Sequence, residues 1–143
     1  MSNQSLQITN IDSRPVKLEI ILILRAFLKL VAHDQFVQRN PSFEALYEYL
    51  RSMPVAKCVP DPNAVERVRA AINEACVWYF KPALCLQRSV VAVELLRGLG
   101  VPAKFVYGIQ QLPFKAHAWV EVGETVVNDR QDVQKEYCIM ERI

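Results

Sequence analysis

The sequence lacks three features that would assign it to common classes of protein: closely spaced cysteine pairs, basic clusters and uncharged apolar runs. No two of its four cysteines form the C-x-x-C pair that is usual in a structural zinc site; they are Cys58, Cys76, Cys85 and Cys138. We therefore expect neither a bound metal nor a cofactor. The formal net charge is only +2, and no cluster of lysine and arginine suggests a phosphate-binding surface, so we do not expect a nucleic acid partner.

The N-terminal region does not resemble a signal peptide, because residues 1–11 are polar. Without a secretory signal a disulfide framework is not expected, and the sequence predicts a cytoplasmic protein whose thiols are reduced. The longest apolar stretch, residues 18–31, is interrupted by Glu19, Arg25 and Lys29. A membrane-spanning helix needs about 20 nearly uncharged residues, so we predict no transmembrane segment.

Apolar residues recur at helical spacing in the first two thirds of the chain and at alternating positions in the last third. Ser42 is predicted as a helix N-cap, and either Gly98 or Gly100 is expected to take the left-handed position that ends a helix. The first predicted helix begins at Pro15. Three further helices are predicted for residues 43–51, about 62–80 and 85–98. The predicted strands cover residues 105–107, 114–122, 125–128 and 137–140, with a tight turn at residues 123–124.

These elements predict an α+β fold with N-terminal helices, a central fourth helix and a small antiparallel sheet. We expect a single domain over residues 1–143, in which residues 1–12 form a loose arm. The apolar first helix has two interpretations. It is either buried on most of its surface or a docking surface for a partner protein, because a helix that is apolar all round must be covered by something.

A cysteine, a histidine and an aspartate follow one another in an order typical of a nucleophile, its base and the group that orients the base. Cys85 lies in the first turn of the predicted fourth helix, His117 on a strand, and Asp129 at the end of the next strand. A thiol attacks as the thiolate, which a helix N-terminus and a nearby imidazolium both favour. Because neighbouring antiparallel strands are about 4.8 Å apart, Asp129 can reach one imidazole nitrogen while the other faces Cys85.

Nucleophilic attack on a carbonyl also needs donors that stabilise an oxyanion. The backbone N–H of Cys85 is the first candidate, and Trp78 is a candidate for the second donor, although a tryptophan in a helical stripe is more often a core residue. A lone cysteine or histidine is more often structural; only the joint pattern of the three residues favours catalysis.

Other residues of the same types have simpler interpretations. Cys76 lies within the apolar stripe of the third predicted helix and is expected in the core. Cys138 falls on the last predicted strand and is expected to be structural. His33 lies in the helical half of the chain and is not expected to act as the base, whereas Asp132 is a rival to Asp129 as the orienting carboxylate.

Two short motifs carry a resemblance to a known family. The pattern Cys-Leu-x-Arg-Ser at 85–89 and the pattern Ala-His-Ala-Trp-Val-Glu at 116–121, with an aspartate 12 residues after the histidine, resemble the leader peptidase of lasso-peptide biosynthesis. That family is a branch of the transglutaminase-like cysteine proteases. The resemblance is strongest from about residue 85 to residue 130. Members are fused to an N-terminal leader-recognition domain or encoded apart from it, and this chain resembles the separate protease.

The resemblance implies a papain-like or transglutaminase-like fold and cleavage of a ribosomally made precursor peptide. It makes Cys85 the nucleophile, His117 the general base and then acid, and Asp129 the orienting residue. The implied partners are the precursor peptide, a separate leader-recognition protein and an ATP-dependent lasso cyclase.

Two alternatives stay open at this stage. The same three residues serve acyltransferases and transglutaminases, in which an amine or a thiol replaces water as the acceptor. The other alternative is a non-catalytic assembly module whose apolar first helix binds a partner.

Overall fold

Four helices of ten or more residues make up most of the described part of the chain up to residue 98. The computed structural model describes residues 16–39 and 42–143, so the predictions for residues 1–12 and Pro15 lie outside the described residues. The helices are α1 (Val16–Arg39), α2 (Phe43–Ser52), α3 (Ala64–Trp78) and α4 (Cys85–Gly98). Ser42 is confirmed as an N-cap, because its Oγ accepts a hydrogen bond from the Glu44 N–H at 3.2 Å. Gly100, with φ of 79°, takes the left-handed position after α4.

The last third of the chain folds into an antiparallel sheet with strand order β3-β2-β1-β4. The strands are β1 (Ala103–Gln110), β2 (Lys115–Val122), β3 (Thr125–Val126) and β4 (Cys138–Arg142), and a short helix α5 (Val133–Glu136) precedes β4. The predicted α+β class is confirmed. β3 is shorter than predicted because the side chain of Asn128, rather than a strand backbone, accepts the Val120 N–H at 2.7 Å.

Helix α4 lies at the centre of the fold, packed against α1 and α3 and against strands β1 and β2. Nine consecutive residues of α4, from Ser89 to Arg97, are buried. The sheet presents Ala118 and Val120 to this helical core, whereas Trp119 belongs to a second, smaller cluster on the opposite face with Val106. The alternation of the strand residues therefore separates a helix-facing side of the sheet from an outer side.

Helix α1 buries one stripe and exposes another. Its buried residues Leu22, Ala26, Leu30 and His33 recur every three or four positions. Five large apolar residues of the same helix are half or more exposed; they are Leu18, Ile20, Ile21, Leu24 and Leu28. The interpretation of a helix buried on most of its surface is therefore wrong, since α3 and α4 cover only one side. The docking interpretation stays a prediction.

The exposed stripe of α1 does not make the helix a membrane span. Within residues 16–39 and 42–143, no helix is long and apolar enough to cross a bilayer. Lys17 and Arg25 are exposed, but Lys29 turns towards the core and forms an ion pair with Glu94 at 2.7 Å.

The Glu94 carboxylate on α4 joins α1 and α2 to the central helix. It pairs with Lys29, accepts a hydrogen bond from the Tyr49 hydroxyl and lies 2.9 Å from His33 Nε2. Burial alone would raise the pKa of Glu94, but the hydrogen bonds from His33, Lys29 and Tyr49 lower it from 4.5 to about 2. The buried carboxylate is therefore ionised, its Oε2 pairs with Lys29, and His33 belongs to this structural network.

Arg97, near the C-terminal end of α4, binds the sheet at the start of β1 and just after the end of β4. Its Nε donates to the Ala103 carbonyl at 2.9 Å, and its Nη1 donates to the Leu50 carbonyl at 2.6 Å. Its Nη2 donates to the Ile143 carbonyl at 3.1 Å. The contact with Ala103 fixes where the end of α4 lies along the sheet, because Ala103 pairs with Val122 at the end of β2.

Candidate active site

Cys85 is the first residue of α4, as predicted, and is partly buried. Helix α4 starts here because Pro82 shortly before it interrupts helical structure and because Gln87 Oε1 accepts the Leu84 N–H at 3.1 Å. Gln87 in turn donates to Asp34 on α1 at 3.2 Å. The start of α4 is thus held in place by α1, and the Cys85 N–H belongs to the first turn, whose donors have no partner within the helix.

His117 and Asp129 are in direct contact. His117 Nε2 lies 2.5 Å from Asp129 Oδ2, and both side chains are about one quarter exposed. The other oxygen of Asp129 accepts the Arg130 N–H at 2.7 Å, which fixes the orientation of the carboxylate. Because Asp129 occupies Nε2, Nδ1 is the ring nitrogen left for a thiol.

Aromatic rings restrict the position of the His117 imidazole. The ring stacks on Trp119, two residues further along β2, with centroids 6.1 Å apart, and lies 5.3 Å from the Tyr137 ring. Gly108 faces His117 across the β1–β2 ladder. A Cβ at Gly108 would lie 2.9 Å from the Tyr137 Cβ and 3.0 Å from the Trp119 ring, so the absence of a side chain makes room for this cluster.

Ser89 and Asn128 join α4 to the edge of β2. The Ser89 Oγ donates to the Ala118 carbonyl at 3.0 Å and accepts a hydrogen bond from Asn128 Nδ2 at 2.9 Å. Asn128 Oδ1 accepts the Val120 N–H at 2.7 Å. This Ser89–Asn128 brace continues the line of hydrogen bonds along β2 beyond the short strand β3.

Two hydrogen-bonded contacts between α4 and the sheet determine the position of Cys85 along the direction of β2. Ser89 binds at Ala118, and Arg97 binds at Ala103, the partner of Val122. Eight helical residues rise about 12 Å and four strand residues about 13 Å, so α4 and β2 advance together in the same direction. Cys85, four residues before Ser89, is therefore about 6 Å further back. That level corresponds to Ala116, the residue before His117.

The structure brings His117 and Asp129 together, and Cys85 begins the helix that packs against strand β2. The His117 ring lies with Trp119 and Tyr137 on the outer side of the sheet. Among the described residues no hydrogen bond joins the Cys85 thiol to His117. Catalytic hydrogen bonds often tighten only when substrate is bound. The arrangement consequently offers a thiol at a helix N-terminus and an oriented imidazole, which are the groups needed for nucleophilic acyl chemistry.

The rival candidates lie in other environments. Asp132 precedes α5 and has Arg130 as an ionic neighbour at 4.0 Å, whereas Asp129 binds the histidine. Burial raises the pKa of the Cys76 thiol, which packs against the core as predicted and is a poor source of thiolate. Trp78 is 72% exposed, so the core interpretation is wrong, and its indole N–H donates to Glu74 at 3.2 Å rather than towards Cys85.

The brace residues were not predicted as part of the site. The sequence placed Ser89 only in the Cys-Leu-x-Arg-Ser pattern of the fourth helix, and Asn128 only at the end of a predicted strand. The available signal was the spacing: Ser89 follows Cys85 by four residues and so projects in the same direction from the helix. Within the described residues, no group of three or more His, Cys, Asp or Glu side chains is arranged to hold a metal ion.

Cys85 begins the central helix, His117 lies on strand β2 of the sheet packed against that helix, and Asp129 lies in the segment that follows β3. These positions agree with the transglutaminase-like class that the sequence motifs indicated. The chain belongs to the Transglutaminase-like superfamily, whose family model matches residues 30–142. The resemblance to this superfamily that the sequence motifs indicated is confirmed.

Part of the chain is also similar to a curated protein. The chain is 32% identical over 59 residues to the microcin J25-processing protein McjB of Escherichia coli. The alignment covers 41% of this chain and 28% of that protein, so the similarity extends over well under two thirds of the relative. No solved structure matches the chain significantly.

Proposed function

We propose that this protein is a cysteine peptidase that removes the leader from a ribosomally synthesised precursor peptide in lasso-peptide biosynthesis. The observation that carries the proposal is the direct contact between His117 and Asp129, together with the position of Cys85 in the first turn of α4. Membership of the Transglutaminase-like superfamily and the partial similarity to a microcin J25-processing protein support it.

The proposed reaction proceeds through an acyl-enzyme. His117 takes the thiol proton, and the Cys85 sulfur attacks the scissile carbonyl carbon to form a C–S bond. The backbone N–H of Cys85 donates to the oxyanion. The C–N bond then breaks as His117 gives the proton to the leaving amine. Water, deprotonated by His117, attacks the thioester, releases the leader as a carboxylate and restores the thiol.

Asp129 has a positioning role in this scheme. Its hydrogen bond to Nε2 fixes the tautomer that presents Nδ1 to the thiol, and its negative charge stabilises the imidazolium that forms. The Ser89–Asn128 brace holds α4 against the strand that carries His117. Small displacements between reacting groups cost large factors in rate, so this brace supports catalysis without touching the substrate.

The proposed partners follow from the same assignment. A separate recognition protein binds the leader and delivers the precursor, and an ATP-dependent cyclase acts on the core peptide after cleavage. The exposed stripe of α1 is available to such a protein, because its five apolar residues are half or more exposed.

The superfamily also supports a second candidate, in which an amine or a thiol intercepts the acyl-enzyme instead of water. The product distinguishes the two. A peptidase releases a free carboxylate, whereas an acyltransferase releases an amide or a thioester.

The test is to mix the protein with the precursor peptide and the recognition protein and to follow the products by mass spectrometry. We expect a leader that ends in a free carboxylate and a core peptide with a free amine. Cys85→Ala should abolish both products, and Cys138→Ala, which changes an exposed cysteine on β4, is the matched control. Unchanged cleavage by Cys85→Ala would eliminate the proposal.

A further inference from the structure

Three alternate residues of β2, His117, Trp119 and Glu121, project from the outer face of the sheet. Of the three, only His117 has a role in the proposed reaction. The Trp119 side chain is fully buried, and Glu121 is only 4% exposed. A carboxylate in such a place is costly unless it is paired and hydrogen-bonded, so the contacts of Glu121 show what it does there.

Each oxygen of the Glu121 carboxylate has its own partner. Oε1 accepts a hydrogen bond from the Trp119 indole N–H at 2.9 Å, and Oε2 accepts one from Arg142 Nε on β4 at 3.0 Å. Replacing a buried ion pair by apolar side chains of similar volume often costs no stability. The pair with Arg142 therefore does not by itself account for this carboxylate. The bond to Trp119 is different, because an apolar side chain offers no acceptor for the indole N–H.

The hydrogen bond to Glu121 fixes the orientation of the Trp119 ring. The outer side-chain torsion of a tryptophan, χ2, has only a broad and roughly two-fold preference, so the torsion itself does not select one orientation. A flipped ring would take the indole N–H away from Oε1 and leave a buried donor unsatisfied, which is unfavourable. Glu121 thus selects one of the two orientations.

The Trp119 ring in turn restricts the His117 imidazole. The two rings stack with centroids 6.1 Å apart and planes inclined by 29°. The contact between Nε2 and Asp129 fixes one edge of the imidazole but leaves the ring free to turn about that contact. Stacking on the indole limits this rotation. The direction in which Nδ1 points therefore depends on where the indole lies.

We propose that Glu121 is a positioning residue for His117, because its carboxylate holds the Trp119 indole and the indole holds the imidazole in one orientation. The inference rests on the proposed peptidase function. In that reaction Glu121 touches neither the substrate nor the reacting atoms. Its loss should therefore slow the turnover of bound substrate rather than weaken binding, since small displacements of reacting groups cost large factors in rate.

The first experiment separates turnover from binding. Glu121→Leu removes the acceptor at similar volume and should lower kcat on the precursor peptide by about tenfold, with KM changed by less than about twofold. Glu121→Gln keeps an oxygen for the indole N–H and should retain at least about one third of kcat. Glu141→Leu is the matched control, because Glu141 on β4 pairs with Arg51 of α2 at 2.9 Å, on the helical side of the sheet.

A double-mutant cycle tests whether the effect passes through Trp119. Trp119→Phe removes the indole N–H but keeps an aromatic ring, and it should also lower kcat by about tenfold. Adding Glu121→Leu to this variant should lower kcat by less than about twofold further, because the hydrogen bond is already absent. A second tenfold loss would mean that Glu121 acts independently of Trp119 and would overturn the proposal.

Proton NMR tests the same contact without a substrate. The chain has two histidines, His33 and His117, and the ring current of the stacked indole displaces the ring resonances of His117. Glu121→Leu should move these resonances towards those of a free imidazole. The resonances of His33, which lies 2.9 Å from Glu94, should stay in place and report that the helical half is folded. Where Glu121→Leu does not fold, Glu121→Ala takes its place.

The two measurements separate this inference from the proposed function. If cleavage continues and Glu121→Leu has the same kcat as Glu141→Leu, the positioning role is overturned and the peptidase proposal stands. If the unmodified protein cleaves nothing, the peptidase proposal fails and the resonances alone decide. A shift of the His117 resonances in Glu121→Leu then supports the positioning of the imidazole, and unmoved resonances overturn it.

Discussion

The Ser89–Asn128 brace makes a quantitative prediction about stability and activity together. Ser89→Ala removes the hydroxyl that donates to the Ala118 carbonyl and accepts from the Asn128 amide. The Ser89 side chain is fully buried, so the carbonyl loses its partner without access to water. An unsatisfied buried polar group costs about 1–3 kcal/mol, whereas Asn128, which is partly exposed, recovers some hydration.

Together these two losses correspond to about 3 kcal/mol of unfolding free energy. For a domain of this size we expect the melting temperature to fall by about 10 °C. Activity at a temperature where the variant is folded should fall as well, because α4 is no longer tied to the strand that carries His117. Thermal unfolding followed by circular dichroism gives the first quantity, and kcat/KM on the precursor peptide gives the second.

Ser52→Ala is the matched control for this prediction. Ser52 Oγ also donates to a backbone carbonyl, that of Tyr49 at 2.7 Å, but it is exposed on the last turn of α2. Its loss should change stability by less than about 0.5 kcal/mol. If Ser89→Ala melted within about 2 °C of Ser52→Ala, the reasoning that assigns a structural role to the buried hydroxyl would be wrong.

Three further predictions concern single groups. The free energy of unfolding should fall by about 3 kcal/mol as the pH falls from 4.5 towards 2, because the pKa of Glu94 is lowered from 4.5 to about 2 in the folded protein. In urea unfolding, the difference in stability between the unmodified protein and Glu94→Gln should therefore shrink over this pH range. A difference that stayed constant would contradict the prediction. Asp129→Asn should lower kcat by a factor of at least ten while Asp132→Asn leaves it nearly unchanged, and the reverse order in steady-state assays would assign the orienting role to Asp132. Iodoacetamide should modify Cys85 faster than the more exposed Cys58, because the start of α4 favours the thiolate. If peptide mapping showed that Cys58 is modified faster, Cys85 would not be a reactive thiol.

Local signals in the sequence were sufficient for the elements that carry the site. Helix α4 has the bounds that were predicted, because Pro82 separates it from α3 and Gly100 provides the left-handed termination. The contact between His117 and Asp129 was also predicted, although Asp129 lies in the segment after β3 rather than on the strand itself.

The rest depends on contacts between residues that are distant in the chain. Nothing in the local pattern shows that Ser89 binds a strand carbonyl 29 residues away. The sequence left both interpretations of α1 open for a related reason: apolar residues on both sides of a helix do not reveal which side the neighbouring helices cover. The exposure of Trp78 similarly follows from where α3 ends relative to α1, and helical spacing carries no information about that.

The parallel advance of α4 and β2 restricts where the chain tolerates changes in length. One residue inserted between Cys85 and Ser89 would rotate the thiol by about 100° around the helix and shift it by about 1.5 Å, with no compensating change in the strand. An insertion at the tip of the β1–β2 hairpin, residues 111–114, leaves both ties between helix and sheet in place. The four-residue interval at the head of α4 is therefore set by geometry, whereas the hairpin is free to vary in length.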